Sequence, residues 1–282
     1  MWGFGMNAVA KALWFIESHF ADEITLAEIA HVGGVSRFHM VRAFGVTTGH
    51  SVMRYVRGRR LSEAARALAK GAPDILNVAL DAGYGSHEAF TRAFREQFGL
   101  TPEAVRSGGT LTGFLLVEAF AMNETSKTTL GVPRMEDGRA LLVAGLKEHF
   151  IFETVVGIPA LWQRFSPHIG NVPGQVGRVV YGVSFNTDDA GNFDYVAGVE
   201  VSDFASLPKD FARVRITGQR YAVFLHEGHV AGTRTTCMAI FNDWLPASGY
   251  QFADAPLFER YDERFDGQTG MGGFEIWVPV KA

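Results

Sequence analysis

A single cysteine, Cys237, stands in 282 residues. No disulfide framework is possible, and a reducing cytoplasm is the compartment to expect. Long apolar runs are missing as well. No stretch of about 18 residues is free of polar side chains, so no segment is expected to cross a membrane. Lys11 and Glu17 interrupt the first apolar positions within a helical period, and no small-residue cleavage site follows, which argues against a secretory leader. Basic residues are not in excess: 26 Lys+Arg against 30 Asp+Glu leave a net charge of −4, on its face a poor balance for a nucleic-acid partner. The signatures of catalysis and cofactor binding are also thin. Gly270-Met271-Gly272-Gly273 lacks the lysine of a phosphate loop and precedes a strand. No Gly-x-Ser-x-Gly elbow occurs. His226 and His229 are three apart at a strand end beside a glycine, with no third ligand nearby, so neither a metal nor a cofactor is expected.

What is present centres on the run from Ser86 to Pro102. A helix over Asp74–Ala82 meets a break at Gly83-Tyr84-Gly85, and Ser86 can cap a second helix through its hydroxyl. Ala89, Phe90, Ala93, Phe94 and Phe98 form one apolar stripe, which throws His87, Glu88, Arg92 and Arg95 to the other face. A short helix, a glycine turn and a second helix with polar and basic residues at its exposed start make a helix-turn-helix. The pattern recurs 50 positions earlier: Gly33, Ser36, Arg42, Phe44 and Gly49 precede Gly83, Ser86, Arg92, Phe94 and Gly99 at that one offset. Thr25 and Glu28 are spaced as a capping box ahead of this first copy. A helix near Val52–Lys70 joins the two units, and a helix over Asn7–Phe20 packs on the first.

These residues, and above all Phe94-Arg95-Glu96-Gln97-Phe98-Gly99-Leu100-Thr101-Pro102, resemble the AraC/XylS family of transcription regulators. The resemblance implies an all-helical domain of about 100 residues whose two second helices enter successive major grooves of double-stranded DNA. By position it makes Phe38, His39 and Arg42 the base-facing residues of the first unit, and His87, Glu88 and Arg92 those of the second. The arginines suit the role best, because a guanidinium can bridge both acceptors of a guanine edge. Glu88 can accept from a cytosine amino group but repels phosphate, and His87 serves equally as a base or a phosphate contact.

The charge balance changes once the chain is divided. Residues 1–107 hold 12 Lys+Arg and 10 Asp+Glu, while the remainder holds 14 and 20. Arg54, Arg57, Arg59 and Arg60 in the helical half read equally as phosphate contacts or as a solvated helix face. Residues 1–6 look like an unstructured lead-in. Ser107-Gly108-Gly109-Thr110 marks a hinge, Leu111–Met122 is a short strand or an ordered part of the connection, and Asn123–Gly131 is polar and turn-rich. From Val132 the order is strand-helix-strand-strand, twice, with Trp162 and Trp244 at matching places in the two helices. This predicts an antiparallel sheet with both helices on one face and a free concave face opposite. Glu259 with Tyr261, and Glu275 with Trp277, alternate along the late strands and are expected to line that one floor, with Phe258, Phe274, Ile276 and Val278 turned to the helices. Carboxylates beside aromatics attract organic cations; the plainer alternative is a solvated strand face.

Tyr221-Ala222-Val223-Phe224, Trp244-Leu245-Pro246, Phe258-Glu259-Arg260-Tyr261 and Phe274-Glu275-Ile276-Trp277 resemble the GyrI-like ligand-binding domain. The resemblance implies a pocket for lipophilic, often cationic molecules, with Glu275 and Glu259 as its acids and Trp244, Trp162 and Tyr261 as its walls. The whole is expected to be multidomain: an all-α double helix-turn-helix DNA-binding domain at 1–107, a linker at 108–131, and an α+β duplicated β-α-β-β domain at 132–282. Its expected function is ligand-responsive transcription regulation, with double-stranded DNA, a small lipophilic or cationic effector and RNA polymerase as partners. Two alternatives stay open: a hydrolase of small electrophiles with Glu275 as general base, and a protein-interaction module whose apolar floor is filled by its own side chains.

Overall fold

The structure is a computed structural model, and it describes residues 7–120 and 130–282. The expected lead-in (1–6) and most of the expected turn-rich linker (123–131) lie outside the described residues. Among the described residues no helix is long and apolar enough to cross a membrane.

The helical half begins with α1 (Ala8–His19) and α2 (Leu26–Gly33). The Thr25–Glu28 capping box forms: the Thr25 hydroxyl accepts from the Glu28 amide at 3.3 Å, and the Glu28 carboxylate accepts from the Thr25 amide at 2.8 Å. Gly34 turns the chain with φ +72°, a left-handed conformation, and Ser36 caps α3 (Arg37–Thr48). The second unit repeats this with α5 (Ile75–Asp81), Gly83 at φ +76°, and Ser86 capping α6 (His87–Phe98). Gly49 and Gly99, the last matched pair of the 50-residue offset, close α3 and α6 with left-handed caps. Between the units runs α4 (Val52–Ala69), and α7 (Pro102–Gly108) follows. Phe90 and Phe94 are fully buried with Leu61, Leu68 and Val105, forming the core of the second unit.

The arginines of α4 share neither one face nor one job, because a helix turns them 100° per residue. Arg54 is exposed and Arg57 pairs with Glu96 at 2.7 Å. Arg59 is buried and bonds Glu17, Glu63 and the Val117 carbonyl, while Arg60 bonds the carbonyls of Phe20 and Asp22. The segment after α7 is an ordered connection and not a strand: the Val117 amide bonds Ser62 at 2.9 Å and the Phe120 amide bonds the Tyr55 hydroxyl at 2.9 Å. Arg59 thus ties α1, α4 and this connection together. Arg59→Ala should lower stability by about 2 kcal/mol in denaturant unfolding. That is below the cost of breaking a fully buried pair, because Glu17 stays 25% exposed and regains water; an unchanged midpoint would show that the network holds nothing.

The other half is one curled sheet. Its strands are β1 (Arg134–Gly138), β2 (Leu141–Ile151), β3 (Gln175–Phe185), β4 (Asn192–Val201), β5 (Ala212–Ile216), β6 (Gln219–His226), β7 (Gln251–Phe252), β8 (Leu257–Tyr261) and β9 (Phe274–Lys281). The order is β1-β6-β9-β8-β3-β4-β2-β5, with β7 on β9. Exchanging β2, β3, β4 and β5 for β6, β8, β9 and β1 maps this order onto itself, so the duplicated unit is real and β3·β8 is the seam. Helix α8 (Ile158–Phe165) belongs to the first repeat. In the second, α9 (Thr233–Ala239) passes through a π-helical turn at Ile240–Trp244 into α10 (Leu245–Ala247).

The concave face is not free. Only Thr217 and Gly218 separate β5, at one end of the sheet, from β6, beside the other end. The sheet must curl to let them meet, and its inside fills with Val143, Tyr181, Val183, Val214, Ile216, Tyr221, Val223 and Phe258, with Trp277 stacked on Phe258 at 5.1 Å. The helices lie on the convex face.

Candidate functional site

The two helices expected to read DNA are in different situations. On α6, His87, Glu88, Arg92 and Arg95 are exposed around a shallow groove, free of the apolar stripe that anchors Phe90 and Phe94. On α3, Phe38 stays 38% exposed, but His39 and Arg42 are buried against the sheet half of the chain. His39 Nε2 donates to the Phe241 carbonyl at 2.7 Å, and burial lowers its pKa, partly offset by that bond. Arg42 donates to the Ser184 hydroxyl at 3.0 Å and the Thr187 hydroxyl at 2.5 Å, with its guanidinium 5.6 Å from the Phe193 ring centroid. Its Nε has no partner among the described residues. Burial holds its pKa down to about 10, against an opposing influence from Cys237. The same helix receives Arg234, which donates to the carbonyls of Val46 and Thr47, and Asn242, which donates to the Thr47 hydroxyl. Sequence reasoning could not find these contacts, because they join residues more than 140 apart in the chain.

The two acids expected on one floor are on opposite faces. The β8·β9 register pairs Glu259 with Ile276 and Arg260 with Glu275. Paired residues share a face, so Glu259 and Tyr261 go with Phe274, Ile276 and Val278 to the convex, helix-covered side. Glu275, Trp277 and Phe258 go to the other. Alternation along each strand was legible; the offset between the strands was not. Glu275 is held by Arg134 at 3.3 Å, Arg260 at 3.3 Å and Arg264 at 3.6 Å, and accepts from the Trp277 indole at 3.0 Å. A carboxylate so engaged is neither a free partner for an organic cation nor a free general base.

Glu259 is the contrasting case. It stands on the seam opposite Gly182. Trp162 on α8 donates its indole N–H to the Tyr195 hydroxyl at 3.1 Å, Tyr195 donates to Glu259 Oε2 at 2.7 Å, and Tyr261 donates to the same oxygen at 3.0 Å. Trp162 also meets the Tyr261 ring edge-on at 5.4 Å. No arginine, lysine or histidine bonds this carboxylate among the described residues. Burial raises its pKa above the usual carboxylate range, and the two hydroxyl bonds pull it back only in part. Burial and the neighbouring Glu259 charge push the Tyr195 hydroxyl well up. Burial, with Glu259 adding to it, pushes the Cys237 thiol up to about 12. Gly182 makes the arrangement fit: a Cβ there would lie 2.0 Å from the Tyr195 hydroxyl and 2.5 Å from the Glu259 carboxylate. Tyr195 and Gly182 were missed, since nothing in one sequence sets β4 and β8 on either side of β3. Trp244, expected as a wall, packs instead on Phe224 at 4.9 Å and on Tyr250. Among the described residues no group of three His, Cys, Asp or Glu is placed to hold a metal; His226 is a buried residue bonded to Thr236 and the His229 carbonyl.

Residues 132–281 match the family model of the GyrI-like small molecule binding domain, and residues 29–108 match that of a helix-turn-helix domain. The transcriptional regulator Rob of Salmonella typhimurium is 26% identical over 272 residues, 93% of this chain and 92% of that protein. The right origin-binding protein of Escherichia coli K12 is 26% identical over 293 aligned positions, 97% of this chain and 98% of its own. Among solved structures, SAV2435 bound to tetraphenylphosphonium is 21% identical, covering 53% of this chain and 94% of that one with a TM-score of 0.45. Of these two relatives that run the whole length, one is named a transcriptional regulator and the other an origin-binding protein, and neither name is that of an enzyme. The chain belongs to the AraC-family helix-turn-helix transcription regulators that carry a GyrI-like small-molecule-binding domain, binding DNA with its helical half and a small molecule with its sheet half.

Proposed function

We propose that the small molecule is a lipophilic organic cation held at Glu259, and that its binding controls how the helix-turn-helix units engage DNA and, through them, RNA polymerase. The observation that carries this reading is the pairing of an uncompensated carboxylate with aromatic side chains at the seam of the two repeats. Among the described residues Glu259 has only neutral donors, Tyr195 and Tyr261, and Trp162 lies against both. A cation there gains the charge of Glu259 and the faces of the rings beside two buried tyrosines, where the effective dielectric is below that of water. Phe38, His39 and Arg42 of the first unit and His87, Glu88 and Arg92 of the second remain the residues assigned to DNA.

Tetraphenylphosphonium and its neutral relative triphenylphosphine oxide, similar in their aromatic bulk, separate charge from shape. Titrated into the full chain, the cation should raise the melting temperature and quench the tryptophan emission to which Trp162 contributes, with the oxide at least tenfold weaker. Equal binding of the two would remove the charge argument, and binding of neither would favour a protein partner for this half.

A further inference from the structure

We propose that α3, the first DNA-reading helix, is also the lid of the Glu259 site, so that a cationic effector and DNA both select the conformation in which α3 has left the sheet half. The inference rests on Glu259 being the cation site, and names how that site is regulated.

The contact between α3 and the sheet half has the marks of a built interface. Gly45 lies inside α3, where a glycine is unfavourable by about 1 kcal/mol. A Cβ at this position would fall 2.4 Å from the Phe152 ring, so the glycine is what lets Phe152 seat against the helix. On the other flank, Arg234 and the Phe241 carbonyl, on α9 and its π turn, bond α3, and Cys237 falls between them at helical spacing. Arg37 at the start of α3 pairs with Asp189 at 3.0 Å. Helix α3 therefore lies between the turn that leads into α8 and α9, above the convex face.

The stripe that α3 gives to this contact is the one it needs for DNA. His39, Arg42, Val46 and Gly49 recur at helical spacing, and each touches the sheet half or lies beside Arg234. A docked α3 cannot enter a major groove. Helix α6 stays exposed, so the docked chain meets DNA with one unit in place of two.

The docked stripe also borders the cation site. Ser184, which accepts from Arg42, is two residues along β3 from Gly182, the partner of Glu259. Phe193, beneath the Arg42 guanidinium, is two residues along β4 from Tyr195, which holds Glu259. Two residues on one strand face are roughly 7 Å apart. Among the described residues Arg42 is thus a buried cation with two hydroxyls and no carboxylate, and Glu259 a half-buried acid with two hydroxyls and no cation, one pleat away. A cation bound at Glu259 offsets the carboxylate one pleat away and adds a positive charge on the Arg42 side of the sheet. Both changes loosen α3 where the dielectric is low. The sign of the coupling follows: effector and DNA help one another.

The test uses the full chain carrying Thr187→Ala, Asp189→Ala and Arg234→Ala, side chains that hold α3 from the sheet half and take no part in either binding site. A DNA duplex is first enriched from a random-sequence pool with this variant. Without effector, the wild-type chain should bind that duplex roughly tenfold more weakly than the variant, within the usual range of coupling between sites. Tetraphenylphosphonium should close most of that gap, and the duplex should raise the affinity for tetraphenylphosphonium by the same factor. Alkylation of Cys237, the only thiol in the chain, should quicken in the variant and in the wild type with the cation. Equal duplex binding by both chains together with unchanged alkylation would overturn the lid. So would a cation that binds and weakens DNA binding, and in that case the cation site itself would stand. If tetraphenylphosphonium fails to bind even the variant, the cation reading fails, while the variant's duplex affinity and Cys237 reactivity still decide whether α3 is held docked.

Discussion

Glu259→Gln should lower the affinity for tetraphenylphosphonium about 100-fold at pH 7.5, leave triphenylphosphine oxide within a factor of three, and make the free protein more stable. The three effects share one cause. A carboxylate answered, among the described residues, by the Tyr195 and Tyr261 hydroxyls alone is under-solvated, so burial raises its pKa above the ordinary carboxylate value. For an acid with a raised folded-state pKa, the stabilising contribution is complete below the unfolded pKa and is lost as pH climbs through the folded one. The melting temperature of the wild-type chain should therefore fall relative to the glutamine variant across that window and match it in acid. Ligand binding runs the other way. A cation needs the ionised form, so wild-type affinity should fall about tenfold per pH unit below the raised pKa and be flat above it. The variant should show no such slope. Isothermal titration at several pH values reads both, and a variant that keeps the wild-type slope would move the titrating group elsewhere.

Glu275→Gln is the instructive contrast, because alternation along the strand makes it look equivalent. Its oxygens are taken by Arg134, Arg260, Arg264 and the Trp277 indole, on the face where Trp277 stacks on Phe258. What distinguishes the two acids is a register offset of one residue between β8 and β9, and strand periodicity is silent on register. The duplicated β-α-β-β order was legible because each repeat carries its own helical and strand periods. The filling of the concave face was not: it follows from the short link between β5 and β6, which forces the sheet to curl, and that is visible only once the strand order is known. In the helical half the capping serines, the closing glycines and the apolar stripe of α6 act within a few residues, and all were readable in the chain. The docking of α3 was not, because Gly45, His39 and Arg42 take their meaning from Phe152, Phe241 and Ser184, far away in sequence. A glycine at mid-helix was the one local sign of it.

Arg42 and Arg92 hold equivalent positions in the two units and should fail differently. Arg92 is exposed and makes no ion pair among the described residues. Arg92→Ala should weaken specific DNA binding by about 1–3 kcal/mol, the value of a bidentate guanine contact, and leave the melting temperature unchanged. Arg42 carries an additional burden: a buried charge with, among the described residues, an unpartnered Nε and no carboxylate, its pKa held down to about 10. Arg42→Met keeps the volume of the stem and removes the charge. It should lose a similar amount of DNA affinity and yet raise the melting temperature, since an unpaired buried charge costs more than two hydroxyl bonds return. The double variant Arg42→Met/Arg92→Ala should lose roughly a thousandfold, because the contacts lie in separate grooves and their effects add. Duplex titrations beside thermal melts separate the two arginines. A fall in melting temperature for Arg42→Met would mean that the Ser184 and Thr187 hydroxyls compensate the charge fully, and the docked state would then be held by Arg42 rather than strained by it.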